Sequence, residues 1–372
     1  MIFDLLKYKD NTAVISDDGQ RLAYAELDAM VETEAAKYKK NVLEFCLVEN
    51  SVESLVQYLA CLRAGAPAVM LDKHKAADMI DHLAEIYQPG KTECHPDVAL
   101  LLTTSGSTGS PKLVKLTAKN LLSNAESIAE YLQIDENERP ITSLPMYYSF
   151  GLSVINSHLL KGATRLLTDR AVIQKEFWEF AKEAEATSIS GVPYTYEMLR
   201  RLRIFRMDLP KLKTMTQAGG KLNAKIAQEY IENAKATGKR FVVMYGQTEA
   251  TARMSYLPED KAAENYASIG IAIPGGKFSL IDADGKEITE PDVDGELIYE
   301  GANVSMGYAE CIADLAKGDE NKGVLHTGDV ARRDADGFYY ITGRLKRFVK
   351  VWGNRCNLDA TEQLVTSLTT NY

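Results

Sequence analysis

Residues 101–115, which read LLTTSGSTGSPKLVK, combine the features that phosphate binding needs within one short segment. Gly106 and Gly109 allow backbone conformations that other residues avoid, so the main chain can close around a ligand. Lys112 supplies a point charge of the kind that pairs with phosphate oxygens. Hydroxyl donors fill the remaining positions, at Thr103, Thr104, Ser105, Ser107 and Thr108. The segment therefore predicts a site for a polyphosphate.

This loop differs from the common P-loop, in which Gly-Lys is followed by Ser or Thr and opens a helix. Here Lys112 is followed by an apolar stretch, Leu113 to Leu116, that is typical of a strand. Thr117 then has the side chain and position of a helix N-cap. Hydroxyls and loop amides, and not a helix N-terminus, are therefore expected to hold the phosphates.

The elements around the loop follow an alternating strand and helix pattern. Val98 to Leu102 precedes the loop as a buried strand candidate, and Leu43 to Val48 is an earlier one. Asn50 is the predicted cap of the helix after that earlier strand, with Glu53 completing a capping box, and Gly65 is expected to end the helix. The pattern predicts an α/β fold of parallel sheets flanked by helices.

The pattern changes after residue 265, where short apolar stretches are separated by Asp-Gly pairs. These pairs are hairpin signals, and they lie at residues 284–285, 294–295 and 336–337. We expect residues 267–343 to form a small antiparallel, barrel-like subdomain.

Three further segments join the loop in a recognisable order. They read YGQTEAT at residues 245–251, HTGD at 326–329 and GRLKRFVKVWGNR at 343–355. Together with the loop, they resemble the acyl-adenylate-forming (AMP-binding) superfamily, whose motifs are TSGTTGxPKG, YGxTE, TGD and GRxxxxVKxxGxR. That superfamily includes acyl-CoA synthetases, adenylation domains of nonribosomal peptide synthesis and luciferases. The resemblance covers residues 101–355 and is greatest to the acyl- and aryl-CoA ligase branch.

The resemblance implies a role for each matching residue. Lys112, Thr248 and Glu249 would be catalytic, with Glu249 also holding Mg²⁺, a hard cation that prefers carboxylate oxygen. Tyr245 would stack on adenine, Asp329 would accept both ribose hydroxyls, and Arg344 would support the ribose. The whole implied ATP and AMP site comprises Thr104, Ser105, Gly106, Ser107, Thr108, Gly109, Lys112, Gly219, Gly220, Tyr245, Gly246, Thr248, Asp329 and Arg344.

A mixed aromatic and apolar set is the predicted acyl pocket: Tyr148, Gly151, Val192, Pro193, Tyr194, Ala218, Thr251 and Met254. Amino-acid-activating relatives carry Asp where Gly151 stands, to pair with the ammonium of the substrate. A buried ammonium without a partner is costly, so Gly151 favours an acid without an α-amino group. Leu113 also departs from the glycine that usually ends the family loop.

The resemblance also divides the chain. Residues 1–345 correspond to the N-terminal adenylation core, and Lys346 lies at the hinge that precedes a rotating C-terminal lid. Residues 346–372 would be the hinge and the start of a truncated lid, without the lysine that the family carries near the lid's end. From this we expect that the chain binds Mg-ATP or adenylate but turns over poorly.

The predicted function is ATP-dependent activation of a carboxylic acid to an acyl-adenylate, then transfer to CoA or a phosphopantetheine carrier. An amino-acid-activating domain and a non-enzymatic nucleotide-binding module remain alternatives. A net charge of −9 over 372 residues argues against nucleic-acid binding, and no apolar run is long enough to predict a membrane partner. Five scattered cysteines fit reduced thiols, so the sequence predicts a cytoplasmic protein.

Overall fold

The computed structural model describes residues 2–75, 77–103 and 112–345, together with the backbone of two later strands. Its helices are α1 Tyr24–Ala35, α2 Val52–Ala64, α3 Ala77–Tyr87, α4 Ala118–Tyr131, α5 Ser149–Leu160, α6 Lys175–Glu183, α7 Pro193–Arg201, α8 Ala224–Ala236, α9 Glu259–Ala262 and α10 Ile312–Leu315. Short 3-10 helices lie at Leu5–Tyr8, Ile204–Arg206 and Thr248–Ala250.

Strands of the first half of the chain are β1 Thr12–Ser16, β2 Arg21–Ala23, β3 Glu44–Val48, β4 Ala68–Asp72, β5 Val98–Thr103, β6 Leu113–Thr117, β7 Pro140–Ile141, β8 Arg165–Leu167 and β9 Ser188–Gly191. Those of the second half are β10 Thr214–Gln217, β11 Arg240–Tyr245, β12 Ser255–Tyr256, β13 Ile271–Ala272, β14 Gly276–Ile281, β15 Gly295–Gly301, β16 Tyr308–Ala309, β17 Val324–Arg333, β18 Tyr339–Arg344, β19 Phe348–Val351 and β20 Asn354–Asn357.

Two large sheets have parallel centres, as the alternating pattern predicts. The first has the order β13-β12-β11-β10-β9-β7-β8-β1-β2, and it is parallel from β11 to β1. The second has the order β16-β6-β5-β4-β3, with β3, β4 and β5 parallel. Both sheets end in antiparallel strands, so they are mixed. The α/β prediction is confirmed.

The strand after the phosphate loop runs antiparallel to the strand before it. Val98 pairs with Thr117 and Thr103 with Leu113, so the loop closes a hairpin between β5 and β6. A short connection permits this geometry, whereas a parallel neighbour would need a crossover of about a dozen residues. Thr117 caps α4 as predicted, because its hydroxyl accepts from Asn120 N at 2.9 Å.

The predicted cap of α2 is wrong by one residue. Ser51, and not Asn50, is the N-cap, and its hydroxyl accepts a hydrogen bond from Ser54 N. The buried Asn50 amide donates instead to two backbone carbonyls of the other large sheet's loops, those of Leu144 and Thr168. The Asn50 side chain therefore makes a tertiary contact and not the helix cap that the local sequence predicts. Gly65 ends the helix in the left-handed conformation, with φ of 68°.

The antiparallel region that was predicted for residues 267–343 contains a four-stranded sheet, in the order β14-β15-β17-β18. Its two outer strands curl towards each other, since the Tyr339 hydroxyl of β18 donates to Phe278 O of β14 at 3.2 Å. Within the described residues, these strands share no hydrogen-bonded ladder, so the sheet is barrel-like without closure. Its core contains Phe278, Leu280, Leu297, Tyr299 and Met254.

Two of the three Asp-Gly hairpin signals are correct. Gly285 and Gly337 lie in turns, with φ of 79° and 90°. Gly295 instead begins β15 and is buried. A side chain there would collide, since a Cβ would lie 2.5 Å from Ile288 Cδ1 and 2.7 Å from Ile281 O. The glycine at 295 therefore serves close packing between strands.

The search for membrane spans over the described residues found no helix with both the length and the apolar character that a span requires.

Candidate functional site

The predicted site residues converge where the three sheets meet. Parallel strands β9, β10 and β11 end side by side at residues 191, 217 and 245, so the loops that follow them share one sheet edge. In open α/β sheets, ligands bind outside the carboxyl ends of the strands. The β5–β6 hairpin and the curled sheet supply the remaining predicted groups.

Asp329 is the buried centre of the first cluster, with 2% of its surface exposed. Its Oδ2 accepts from the Tyr245 hydroxyl at 2.5 Å and from Gln247 Nε2 at 2.9 Å, and its Oδ1 accepts from Arg344 Nε at 2.7 Å. Asp329 and Arg344 are register partners on β17 and β18. Residues from two sheets thus converge on one carboxylate.

Tyr245 contributes its hydroxyl to this cluster. Burial raises its pKa well above the ordinary value, and the nearby Asp329 carboxylate raises it further, so the phenol stays protonated and donates. Its ring packs beside the core of the curled sheet. The stacking on adenine that the family resemblance implies stays a prediction.

Thr248 and Glu249 lie in the short 3-10 helix after β11. The Thr248 hydroxyl is 3.1 Å from the hydroxyl of Ser149, which begins α5. Gly246, which precedes this helix, leaves no room for a side chain, because a Cβ would lie 1.8 Å from Ala252 O. This glycine therefore keeps the strand end and the returning chain in contact.

Lys112 and Glu249 come from different sheets, and Tyr308 lies between them. The Tyr308 hydroxyl donates to Glu249 Oε1 at 2.6 Å, and Lys112 Nζ is 5.6 Å from the centre of the Tyr308 ring. Lys112 also pairs with Glu310 Oε1 at 2.5 Å. Strand β16 places Tyr308 here by pairing with β6, where Tyr308 faces Val114.

The remaining loop residues lie outside the described residues, namely Thr104, Ser105, Gly106, Ser107, Thr108 and Gly109. The same holds for Lys346 at the predicted hinge and for the side chains of 347–372. The phosphate contacts and the hinge therefore stay predictions.

Part of the predicted acyl pocket is brought together beside this cluster. Gly219 has φ of 77°, and a Cβ on it would lie 2.4 Å from the Tyr148 hydroxyl and 3.1 Å from Val192 Cγ1. A Cβ on Gly220 would similarly lie 3.1 Å from Pro193 Cγ. Gln217 braces this turn, because its amide donates to the carbonyls of residues 218 and 220.

Gly151 has a packing role in α5. A Cβ there would lie 2.3 Å from Pro145 O, so the helix packs directly on the preceding backbone. The Thr251 hydroxyl donates to Asn303 O at 2.7 Å, and Thr251 lines a cavity of about 10 Å³ near Ser149.

Two predicted pocket residues do not join the others. Tyr194 is 67% exposed on the surface of α7. Met254 is fully buried, but it packs in the core of the curled sheet with Phe278 and Tyr299. The neighbouring Arg253 lies against the pocket side instead, with its guanidinium 4.8 Å from the centre of the Phe150 ring. Successive residues of an extended chain point to opposite faces, which explains why Arg253, and not Met254, faces Phe150.

Glu249 is a single carboxylate and not part of a preformed cage. No group of three or more His, Cys, Asp or Glu side chains that could hold a metal occurs between described residues. Magnesium commonly takes one or two carboxylates and completes its coordination with substrate phosphates and water. The donor set therefore fits Mg²⁺ that arrives with a nucleotide.

Sequence reasoning did not select Ser149, Gln247, Tyr308 or Arg253. Gln247 stood inside the matched YGQTE segment, so its position gave a usable signal. Tyr308 could not be found locally, because its place beside Glu249 depends on the pairing of β16 with β6.

A mixed α/β core that carries a curled antiparallel sheet is the fold of the N-terminal domain of adenylate-forming enzymes. The structure of O-succinylbenzoate coenzyme A synthetase from Bacillus subtilis, in complex with ATP and magnesium, superposes with a TM-score of 0.84. That match covers 98% of this chain and 84% of the other at 23% identity, so it supports the fold alone.

The sequence family described as AMP-binding enzyme matches residues 84–309. Feruloyl-CoA synthase of Amycolatopsis sp is 31% identical over 258 residues, which are 68% of this chain and 50% of that protein. Long-chain-fatty-acid–CoA ligase of Escherichia coli O157:H7 is 33% identical over 276 residues, which are 72% of this chain and 48% of that protein. The chain belongs to the AMP-binding enzyme family. It spans about half the length of these curated relatives.

Proposed function

We propose that this protein activates a carboxylic acid with Mg-ATP, forming an acyl-adenylate and releasing pyrophosphate, and that CoA then receives the acyl group. The observation that carries the proposal is the convergence of Lys112, Glu249 and Asp329 from three different sheets onto one sheet edge. Family membership and two relatives named as a CoA synthase and a CoA ligase support the same chemistry.

Activation solves a leaving-group problem. A free carboxylate is a poor acyl donor, whereas attack of its oxygen on the α-phosphorus of ATP expels pyrophosphate and leaves AMP as a good leaving group. Positioning and charge stabilisation then dominate the work of the protein.

The chain's own groups divide this work. Lys112, with the loop at 104–109, would hold the β- and γ-phosphates, and Thr248 would donate to the α-phosphate. Asp329 would accept from the ribose hydroxyls beside Tyr245. Glu249 would hold Mg²⁺, whose role is to neutralise charge on the phosphates. The contact between Lys112 and Glu310 would give way to the nucleotide, because a polyphosphate offers Lys112 more negative charge than one exposed carboxylate.

Binding of Mg-ATP tests the phosphate assignment. We expect Lys112→Met and Glu249→Gln each to weaken Mg-ATP binding about tenfold or more, since each removes a charge-assisted contact worth about 1.5–3 kcal/mol. Lys119→Met and Glu126→Gln, at exposed positions of α4, are matched controls and should bind like the parent chain. Unchanged affinity in both site variants would exclude this phosphate site.

Acid-dependent ATP–pyrophosphate exchange tests the reaction. Exchange with carboxylic acids but not with α-amino acids would support the proposal, and the reverse order would favour the amino-acid-activating alternative. A chain that binds nucleotide but has no affinity for any stable acyl-adenylate analogue would favour the alternative of a non-enzymatic nucleotide-binding module. Thioester assays with CoA and with a phosphopantetheinylated carrier would decide the acceptor.

The extent of the core at residues 1–345, the hinge at Lys346 and the cytoplasmic location belong to the same proposal. They are supported by the family resemblance and by the composition of the chain.

A further inference from the structure

Arg253 is a buried guanidinium beside the acyl pocket, with 1% of its surface exposed. Among the residues that the structure describes, its Nε has no hydrogen-bond partner and its guanidinium forms no ion pair. A guanidinium stays charged in proteins, and a buried charge without a partner is costly. A ligand anion that reached this guanidinium would therefore form a charge-assisted contact that the described residues do not supply.

The immediate neighbours of Arg253 are weak partners for a cation. Nη1 lies 3.3 Å from the Tyr131 hydroxyl and 3.3 Å from the thioether sulfur of Met244. The guanidinium also lies 4.8 Å from the centre of the Phe150 ring, a cation–π contact. These groups orient Arg253 without neutralising it.

The same neighbours connect Arg253 to the predicted pocket. Phe150 and Met244 belong to one apolar cluster with Ala218, against which Tyr148 and Val192 pack. The Tyr148 ring lies 6.3 Å from that of Phe150 and approaches the Gly219 backbone. Arg253 and the predicted pocket residue Tyr148 therefore both contact the Phe150 ring.

Arg165 is another arginine whose buried nitrogens, Nε and Nη2, have no hydrogen-bond partner among the described residues. It is also fully buried, but it donates to the Ala163 carbonyl at 3.0 Å and to the Tyr24 hydroxyl, far from the predicted pocket residues. The carbonyl is a strong acceptor, whereas the side-chain hydrogen bonds of Arg253 among the described residues reach only a hydroxyl and a thioether.

We infer that the acyl pocket takes a carboxylic acid that carries a second anionic group, and that Arg253 pairs with this distal anion. The inference rests on the proposed function and names its substrate class. A planar carboxylate suits the guanidinium because the two can share parallel hydrogen bonds. The same positive charge opposes an α-ammonium on the substrate.

Stable analogues of the acyl-adenylate, in which a sulfamate replaces the phosphate, test this without turnover. One analogue carries a terminal carboxylate on its acyl chain, and its partner carries a methyl group at that place. Titration of the full chain with each gives a ratio of dissociation constants in which the nucleotide contribution cancels. We expect the carboxylate form to bind about 100-fold tighter, because the methyl form leaves a buried charged donor unpaired.

Variants assign that ratio to Arg253. Arg253→Met should bring the ratio to about one or below it, whereas Arg253→Lys should retain part of the preference. Arg165→Lys is the matched control at a buried arginine, and its ratio should equal that of the parent. Far-ultraviolet circular dichroism verifies folding, and the ratio in the parent chain decides the question even where a variant fails to fold.

The outcomes separate the inference from the proposed function. Equal binding of both analogues by the parent chain would overturn the inference and leave acid activation standing. Binding of neither analogue would overturn the proposed function itself. A preference for the carboxylate form that persists in Arg253→Met would show that another group holds the distal anion, and would also overturn the inference.

Discussion

Asp329→Asn removes one charge from the buried cluster around Asp329 while keeping the shape of the side chain. Three donors surround the carboxylate, from Tyr245, Gln247 and Arg344. An amide offers only one acceptor oxygen, so its NH₂ group must face donors on one side. Because Tyr245 and Gln247 both donate to Oδ2, the amide oxygen fits best there, and the NH₂ group then faces the Arg344 guanidinium in place of Oδ1.

The contacts differ in what they contribute to stability. Arg344 is 61% exposed, so its ion pair adds about 1 kcal/mol at most. The Tyr245 and Gln247 hydrogen bonds are sheltered and both reach Oδ2, so an amide oxygen at that position can keep both, but each falls from a charge-assisted bond worth about 1.5–3 kcal/mol to a neutral one worth about 0.5–1.5 kcal/mol. We therefore expect Asp329→Asn to lower the free energy of unfolding by about 1–3 kcal/mol.

Nucleotide binding should weaken as well. The ribose hydroxyls lose a charged acceptor, which should cost about 2 kcal/mol of binding free energy. The affinity for AMP should therefore fall about 30-fold. Urea denaturation measures the stability, and calorimetric titration with AMP measures the affinity. Asp294→Asn is the matched control, because Asp294 is an exposed carboxylate that accepts from Thr342 in the same subdomain. An Asp329→Asn chain that binds AMP within twofold of the parent would refute the ribose assignment.

Two other substitutions probe the scaffold around the site. Gly219→Ala should destabilise the fold by about 1–3 kcal/mol more than Gly238→Ala, and it should weaken the binding of acyl-adenylate analogues. Both glycines have positive φ, but only Gly219 faces the Tyr148 hydroxyl. Equal urea midpoints of the two variants would contradict this. Burial lowers the pKa of His158 to about 3, so its neutral form is favoured in the fold and its stabilising effect is lost as the pH falls from about 6.5 towards 3. The parent should therefore lose about 1.4 kcal/mol per pH unit relative to His158→Leu over that interval, and parallel stability curves would disprove the burial argument.

Local sequence predicted those parts of the fold that local chemistry decides. The strands on either side of the loop and the Thr117 cap are confirmed, because an apolar run and a hydroxyl before a helix carry their own signal. Asn50 was misplaced because its amide satisfies carbonyls more than 90 residues away along the chain. The hairpin signal at Gly295 failed for the same kind of reason, since a close strand contact requires that glycine.

The predicted acyl pocket contains an error that the sequence alone could not have corrected. Thr251 and Met254 were predicted as pocket residues, and Arg253 between them was not. One residue of register decides which of two neighbours faces a given side, and that register is set by Met254 packing into the curled sheet's core. Because Met254 points to that core, Arg253 must point the other way, against Phe150. The same apolar packing that stabilises the subdomain thus places a charge against Phe150, and no motif encodes that position.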